Sequence, residues 1–309
     1  MHAYEAIEQS LIFIEEHLTK EILTEELANT VGLSPFYFQR LFKRLVNKPV
    51  QEYVKLRRLA KVIENLKSTD QRILDVALDY GFSSHANFTR AFKETYGITP
   101  KDYRRNLPML NTFDKPEVSM KYVLVDEGVP LVVGDIVLEI QKKTLEKPEI
   151  YLGLETEVRI SEQMPVGEST GVDVPGQLWK RYHMEKTSIA ANLNTTVEMG
   201  MSHTEGTAQN LFTYFAGGLV QIIPEQLQDG FVKRELSAGE YIVCRVEAEN
   251  FEDLVTVALD QASKYLFGIW LPHHNLTTEP FSAEKYYRDL EGMACMEILV
   301  KPLPLKNKS

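Results

Sequence analysis

The feature that most constrains this chain is a repeat inside its first third. Ala28, Gly32, Leu33 and Ser34 return as Ala77, Gly81, Phe82 and Ser84, and Phe38, Arg40, Phe42 and Lys43 return as Phe88, Arg90, Phe92 and Lys93, at a shift of 49 or 50 residues. Pro49 and Tyr53 are echoed by Pro100 and Tyr103. Shared spacing over about 25 positions rarely arises by chance, and each copy reads as a helix, a glycine turn and a second helix.

The surrounding pattern is helical. Tyr4, Ile7, Leu11, Ile14 and Leu18 recur at three- and four-residue steps and form one amphipathic stripe. Thr24 is the expected N-cap of a short second helix, with Glu25 and Glu26 in its first turn and Gly32 at its left-handed end. Ser34-Pro35 opens the next helix, whose apolar stripe is Phe38, Leu41, Phe42 and Leu45. Pro49 restarts the chain into a longer helix running to about Leu66. Residues 1–106 are therefore expected to form an all-α domain with two helix-turn-helix units.

Residues 107–118 contain two prolines and no clear period, which suits a linker. Beyond them the pattern changes class. The runs 121–125, 131–137, 210–215, 241–246 and 296–300 are short and rich in β-branched or aromatic residues, as strands are. Gly217-Gly218 and Ala238-Gly239 are expected at turns, and 177–192 and 251–267 read as helices. Residues 119–309 are expected to fold as an α+β domain.

With 309 residues, 44% of them hydrophobic and 25% charged, the composition is that of a globular protein rather than a disordered, collagenous or membrane-embedded one. No run approaches the ~18 apolar residues of a membrane span. The start, Met1-His2-Ala3-Tyr4-Glu5, lacks the basic and apolar regions of a signal peptide, so a cytoplasmic location is expected. Cys244 and Cys295 lie in no zinc-spaced cluster, and neither a metal nor a cofactor is expected. The net charge of -10 hides an asymmetry: residues 1–106 balance at +2, with 16 Lys and Arg against 14 Asp and Glu, and the rest of the chain carries -12. Within the first part, residues 51–106 hold eleven basic against seven acidic residues, so a basic face exists on an acidic protein.

Opposite its core stripe, the second helix of the first unit carries Phe36, Gln39, Arg40 and Lys43; the matching face of the second unit carries Ala86, Asn87, Arg90 and Lys93. Arg can fork onto guanine, Gln onto adenine, and an aromatic ring can meet a thymine methyl group. A connecting helix of about 18 residues is ~27 Å long, which with its flanking turns approaches the ~34 Å step between successive major grooves. Arg and Lys retained at the same offsets in both copies favour DNA over a merely solvated face. Arg57 and Arg58 in the connecting helix, with Lys43, Lys93, Lys101 and Arg104, are candidate phosphate contacts.

The second part contains no G-x-S-x-G, Walker, H-E-x-x-H or dinucleotide motif. Adjacent His273 and His274 are poor joint metal ligands and are expected in a surface loop. What stands out is a concentration of aromatics, Trp179, Tyr182, Phe212, Tyr214, Tyr241, Trp270, Phe281, Tyr286 and Tyr287, with Glu284 or Glu297 as the polar group of a pocket, or else simply a core.

The segments 33–43 and 81–93, followed by Gly97-Ile98-Thr99-Pro100 and Tyr103-Arg104, resemble the AraC/XylS family of bacterial transcription regulators over about residues 5–105. The resemblance implies a double-stranded promoter as partner and base contacts by Phe36, Gln39, Arg40, Ala86, Asn87 and Arg90. Ala86 departs from polar residues found there in some members. The segments 212–218, 236–241, Trp270-Leu271-Pro272, Glu284-Lys285-Tyr286-Tyr287 and 296–302 resemble the GyrI-like effector-binding domain over roughly 119–304, and the combination is similar to the Rob-like branch of AraC regulators. Residues 150–170 depart from that pattern by being longer and polar.

The second resemblance implies a duplicated strand-strand-helix-strand fold around a pocket, with Glu284 as its acidic residue and Trp179, Tyr214, Tyr241, Trp270 and Tyr286 around it. A desolvated carboxylate among rings favours a lipophilic cation. The expectation is a non-enzymatic regulator, an activator by family analogy, with RNA polymerase as a partner and no membrane contact. The rival readings are a small-molecule hydrolase using Glu284 and Glu297, and a ligand-free module that contacts polymerase.

Overall fold

The computed structural model describes residues 3–69, 71–118, 123–133, 136–163, 169–204, 207–224, 226–287 and 294–305. In the N-terminal third the helical periods form α1 (Ala3–Glu16), α2 (Thr24–Thr30), α3 (Pro35–Val46), α4 (Val50–Ser68), α5 (Ile73–Asp79), α6 (His85–Tyr96) and α7 (Pro100–Asn106). Ser34 and Ser84 cap α3 and α6, accepting from the Tyr37 and Asn87 amides at 3.4 and 3.2 Å. Thr24 does not cap α2: the cap position is Leu23, and the Thr24 hydroxyl instead accepts from Gln51 Nε2 at 3.4 Å.

Two hydrophobic cores share α4. Val50, Tyr53, Val54 and Leu56 pack with α1, α2 and α3, where Phe38, Phe42, Tyr53 and Phe113 make ring contacts of 5.6 to 5.9 Å. Leu59, Val62, Ile63 and Leu66 pack with α5, α6 and α7 around Phe88, Phe92, Tyr96 and Tyr103. Apart from α4 the cores are bridged by Tyr80, which leans on both and accepts from Asn65 Nδ2 at 2.8 Å.

Arg57 and Arg58 sit at the changeover, and here the structure corrects the expectation of phosphate contacts. Arg57 is only 8% exposed. It makes a two-pronged bond to Glu15, with Nε to Oε1 at 2.9 Å and Nη2 to Oε2 at 2.8 Å, and donates through Nη1 to the Phe113 carbonyl. Burial opposes its charge, but Glu15 outweighs burial and holds the guanidinium above its ordinary pKa. Arg58 donates to the carbonyls of Leu18, at 2.9 Å, and Lys20. Both guanidinium groups are committed to the protein's own chain.

The segment read as a linker, 107–118, is packed: Phe113 and Val118 are buried in the first core, and β1 (Leu110–Asn111) pairs with β5 (Gly171–Val172). The boundary between the two compact units falls after Val123, and β5 belongs with the first.

In the second unit one antiparallel sheet runs in the order β2 (Leu131–Val133), β3 (Ile136–Leu145), β9 (Gly239–Ala248), β12 (Ala294–Val300), β11 (Phe281–Tyr287), β6 (Leu193–His203), β7 (Leu211–Val220), β4 (Glu149–Arg159) and β8 (Val232–Leu236). A small ladder pairs β10 (Leu276–Thr278) with β13 (Pro302–Pro304). Leaving aside the edge strand β2, the other eight strands are arranged symmetrically about the β11–β6 pair, and each half supplies two strands, a helix and two more strands. The duplication expected from sequence is present, with one strand more per half.

Curvature follows from connectivity. Strands β3 and β4 stand six places apart, ~29 Å in a flat sheet, yet residues 146–148 join them and reach ~14 Å at most. The sheet therefore curls until its ends meet, and Lys285 on β11 forms a 2.9 Å ion pair with Glu149 on the non-neighbouring β4.

The short α8 (Ile160–Gln163) follows β4, and one face of the sheet is covered by α9 (Val174–Glu185), continued by a 3-10 segment Lys186–Asn192. A second helical run covers β9 and β12. It begins as α10 (Phe251–Asp253) and continues through a π segment Leu254–Ala258, α11 (Leu259–Tyr265), a π segment Leu266–Trp270 and α12 (Leu271–His273). His273 and His274 thus end a helix rather than occupy a loop, and His274 stacks on Trp270 with ring centroids 3.8 Å apart.

Other expectations also need correction. Gly217 and Gly218 lie inside β7, not at a turn, paired with Gly153 and Leu152 of β4 and with Met199 and Glu198 of β6; glycine is needed at 218 because a Cβ there would stand 2.7 Å from Tyr182 Oη. The run 131–137 divides between the paired strands β2 and β3, and its Gly134 and Asp135 lie outside the described residues. Of the run 121–125, Lys121 and Tyr122 lie outside the described residues, and 123–125 is not a strand. Among the described residues no helix is long and apolar enough to cross a membrane.

The Arg57 assignment is testable because Trp179 and Trp270 both lie in the second unit. Arg57→Ala leaves Glu15 without its cation and is expected to cost about 3 kcal/mol. In urea titrations the helical transition followed by circular dichroism should move to lower denaturant, while the tryptophan fluorescence transition stays in place.

Candidate functional site

Capped by Ser34 and opened by Pro35, α3 turns its apolar stripe inward and leaves Phe36, Gln39, Arg40 and Lys43 exposed. Phe36 is 72% exposed, and the Arg40 guanidinium lies 5.8 Å from its ring centroid. On α6 the exposed face carries Ala86, Asn87, Arg90 and Lys93, and Asn87 Nδ2 donates to Ser83 Oγ at 2.8 Å. Lys101 is exposed and Arg104 half-buried on α7. The sequence reading missed Tyr37 and Arg44, which widen the exposed face of α3. The available signal was their place off the 38-41-42-45 stripe.

In the second unit the pairing register decides which side chains meet. Glu284 pairs with Gly200 and Ile298, Tyr286 with Glu198, and Tyr214 with Ser202, so Glu284, Tyr286 and Tyr214 share the face covered by α9. Glu284 Oε2 accepts from the hydroxyls of Tyr214 and Tyr286, each at 3.0 Å. Trp179 on α9 donates from Nε1 to Tyr214 Oη at 3.0 Å and meets the Tyr286 ring edge to face at 5.6 Å. Phe251, at the start of the second helical run, closes on Tyr286 at 6.0 Å. Glu284 itself retains partial exposure.

Two expected members lie elsewhere. Tyr241 is on the opposite face of the sheet, packed with Met199, Met201 and Phe215, and donates to the Ser237 carbonyl at 2.7 Å. Trp270 belongs to the helical run that brings Phe251 to Tyr286, but 19 residues further along, or ~28 Å of helix. Its Nε1 donates to the Val125 carbonyl at 3.2 Å. Aromatic character alone could not separate these rings from those of the cluster.

The sequence reading also missed Asp173 and Gly200. Asp173 caps α9 by accepting from the Gly176 amide at 2.9 Å, and its charge acts on Glu284, Tyr214 and Tyr286. At Gly200 a Cβ would stand 2.3 Å from Tyr214 Oη and 2.9 Å from Glu284 Oε2. Only glycine lets the phenol and the carboxylate meet there.

Three buried or half-buried glutamates differ in what neutralises them. Glu198 accepts from Lys186 Nζ at 2.7 Å and lies 3.0 Å from His183 Nε2. Glu297, on the opposite face, holds Lys143 at 3.0 Å and accepts from Tyr287 Oη at 2.7 Å. Glu284 is bonded to phenols, which are neutral donors. Burial pushes its carboxyl above the ordinary 4.5; the two hydroxyls pull against that, and Asp173 adds to the rise. The opposed faces of Glu284 and Glu297 also remove the hydrolase dyad considered from sequence. Among the described residues no three His, Cys, Asp or Glu side chains gather as a metal site.

A double helix-turn-helix unit with cationic exposed faces, joined to a duplicated sheet with a carboxylate under one helix, defines a class of two-part regulator. Residues 27–106 match a helix-turn-helix domain model and residues 138–301 a GyrI-like small molecule binding domain. The chain is 41% identical to the Transposon Tn10 TetD protein of Escherichia coli over 100 residues, 32% of this chain and 72% of that protein. It is 28% identical to the transcriptional regulator Rob of Salmonella typhimurium over 288 residues, 91% of this chain and 90% of that one. Against the regulatory protein SoxS of the same organism it is 34% identical over 106 residues, 34% of this chain and 99% of that one. A solved AraC-type regulator from Chromobacterium violaceum superposes with a TM-score of 0.32 at 26% identity, over 33% of this chain and 90% of that one. The chain belongs to the AraC-type helix-turn-helix regulators that carry a GyrI-like domain, and it is a DNA-binding transcriptional regulator.

The raised Glu284 pKa sets the sign of a pH effect. Between the ordinary 4.5 and its raised value, the folded state binds more protons at this site than the unfolded state, so rising pH costs stability across that window. Glu284→Gln keeps an oxygen for both phenols and removes the charge. The variant should be more stable than wild type at pH 7, and the difference should shrink towards zero at pH 4, as read by thermal unfolding at both pH values.

Proposed function

We propose that this regulator reads its promoter with the exposed faces of α3 and α6 and that its C-terminal unit senses a small lipophilic cation at Glu284. Phe36, Gln39 and Arg40 on α3 and Ala86, Asn87 and Arg90 on α6 are the base-contacting residues; Lys43, Lys93, Lys101 and Arg104 hold phosphates. The short aliphatic Ala86 offers only apolar contact, which leaves hydrogen-bonded readout on α6 to Asn87 and Arg90. Activation of transcription is supported by the likeness to the HTH-type transcriptional activator AarP of Providencia stuartii, 34% identical over 98 residues, and RNA polymerase is the partner that an activator's role calls for. The protein works in the cytoplasm, beside its promoter.

The observation that carries the sensor reading is the contrast among the three glutamates. Glu198 and Glu297 are matched by lysines, whereas Glu284 has only phenols, beside a second carboxylate, Asp173. A cation with apolar substituents supplies the missing charge, and Trp179, Tyr286 and Phe251 supply ring faces and edges for its substituents. Regulation rather than turnover is supported by how the neighbouring carboxylates are engaged: Glu297 lies on the opposite face, Asp173 caps α9, and Glu198 is held by Lys186 and His183, which leaves Glu284 no acid–base partner of the kind a hydrolase needs. The sensor acts on transcription to the extent that the cation binds two states of the regulator unequally.

Isothermal titration of the full chain with tetraphenylphosphonium and with uncharged triphenylphosphine oxide tests this. The cation should bind more tightly, and Glu284→Gln should weaken it by about 2 kcal/mol or more, roughly thirtyfold in Kd, while leaving the neutral compound unchanged. Equal affinities for the two compounds, or no response to the substitution, would reject the charge-selective reading.

A further inference from the structure

The two glycine turns of the repeat are not equivalent. Gly32 and Gly81 both have positive φ, +68° and +74°, yet a Cβ on Gly32 would meet nothing within 4 Å, whereas a Cβ on Gly81 would stand 2.9 Å from Arg58 Nη1 and 3.0 Å from its Cζ. The Arg58 guanidinium thus fills the turn that leads into α6. The same group donates to the carbonyls of Leu18 and Lys20, in the turn that follows α1. One side chain on the shared helix therefore ties the turn between α1 and α2, whose Leu18 is packed in the first core, to the glycine turn of the second helix-turn-helix unit.

We propose that Arg58 is a positioning residue that fixes the step between α3 and α6, and with it the spacing of the two DNA half-sites the protein accepts. The two cores are separate clusters, joined through α4 and Tyr80. A helix bends gently under load, so α4 alone leaves the second unit free to swing about its axis. Arg58 opposes that swing sideways, at the point where α4 passes from one core to the other. Its partners are neutral carbonyls in fixed positions, which a planar fork of donors can bridge and a lysine ammonium cannot. Glu15 and the Phe113 carbonyl hold the neighbouring Arg57 within the first core and the segment after α7, so Arg58 carries the contact to the second unit's turn.

Spacing is the readout that distinguishes positioning from plain stability. Adding one base pair between half-sites moves the second by about 3.4 Å along the duplex and turns it by roughly 35°. A site selected from random DNA by the full-length wild-type chain is rebuilt with one base pair removed and with one or two added between its halves, and affinities are measured for wild type, Arg58→Met and Arg58→Lys. Wild type should lose roughly tenfold or more at each altered spacing, the scale of a lost base contact. Both variants should bind the selected site more weakly but lose less than about threefold further when the spacing changes. A uniform loss at every spacing, an unchanged spacing profile in both variants, or a selected site with a single contacted half would overturn the proposal. Circular dichroism identifies a variant that has failed to fold, and the other then decides.

Discussion

One helix has to serve two hydrophobic cores, and that division governs what the N-terminal unit can present. Leu56 closes the first core and Leu59 opens the second, leaving two positions of α4 that add no apolar side chain to either core. Arg57 and Arg58 occupy those positions. A pair of basic residues on an exposed helix would be solvated and worth little; here they are bonded to Glu15 and to three backbone carbonyls. The polar ties stand where apolar packing runs out, and the faces of α3 and α6 are held relative to each other by them.

In the second unit the corresponding constraint is strand alternation on a curled sheet. The run Glu284-Lys285-Tyr286-Tyr287 sends its first and third side chains under α9 and its second and fourth to the opposite face. On that opposite face Lys285 meets Glu149, and Tyr287 donates to Glu297, whose charge is matched by Lys143, so each charge there finds its complement on another strand. Under α9, Glu284 finds only hydroxyls. Four consecutive residues thus build a closed ionic network on one side and an unneutralised carboxylate on the other, and the second supplies the chemistry of a binding site.

Much of this was legible from local sequence, and what was not shares one physical cause. The helices of the first unit follow from a 3.6-residue period and from serine caps, both local. Thr24 looked like a cap from the sequence, but its hydroxyl serves Gln51, 27 positions away. Arg57 and Arg58 looked solvent-facing because their partners, Glu15 and the Leu18 carbonyl, lie about forty residues back. Strands β4 and β6 escaped notice since Glu149–Arg159 and Leu193–His203 carry polar residues on a sheet whose two faces are both partly polar. Tyr241 and Trp270 were grouped with the cluster by residue type, and only register and helix length separate them from it. Asp173 joins the site through the placement of α9, which no spacing in the sequence encodes.

The central claim is that occupation of the Glu284 face changes what the DNA-bound regulator does, and transcription by purified RNA polymerase from a promoter carrying the selected site measures it most directly. Transcript yield should change at least severalfold on adding tetraphenylphosphonium to reactions containing wild-type protein, and should stay flat with Glu284→Gln, although both proteins occupy the promoter. Equal yields with and without the cation in wild type, at concentrations that saturate its binding, would contradict the account.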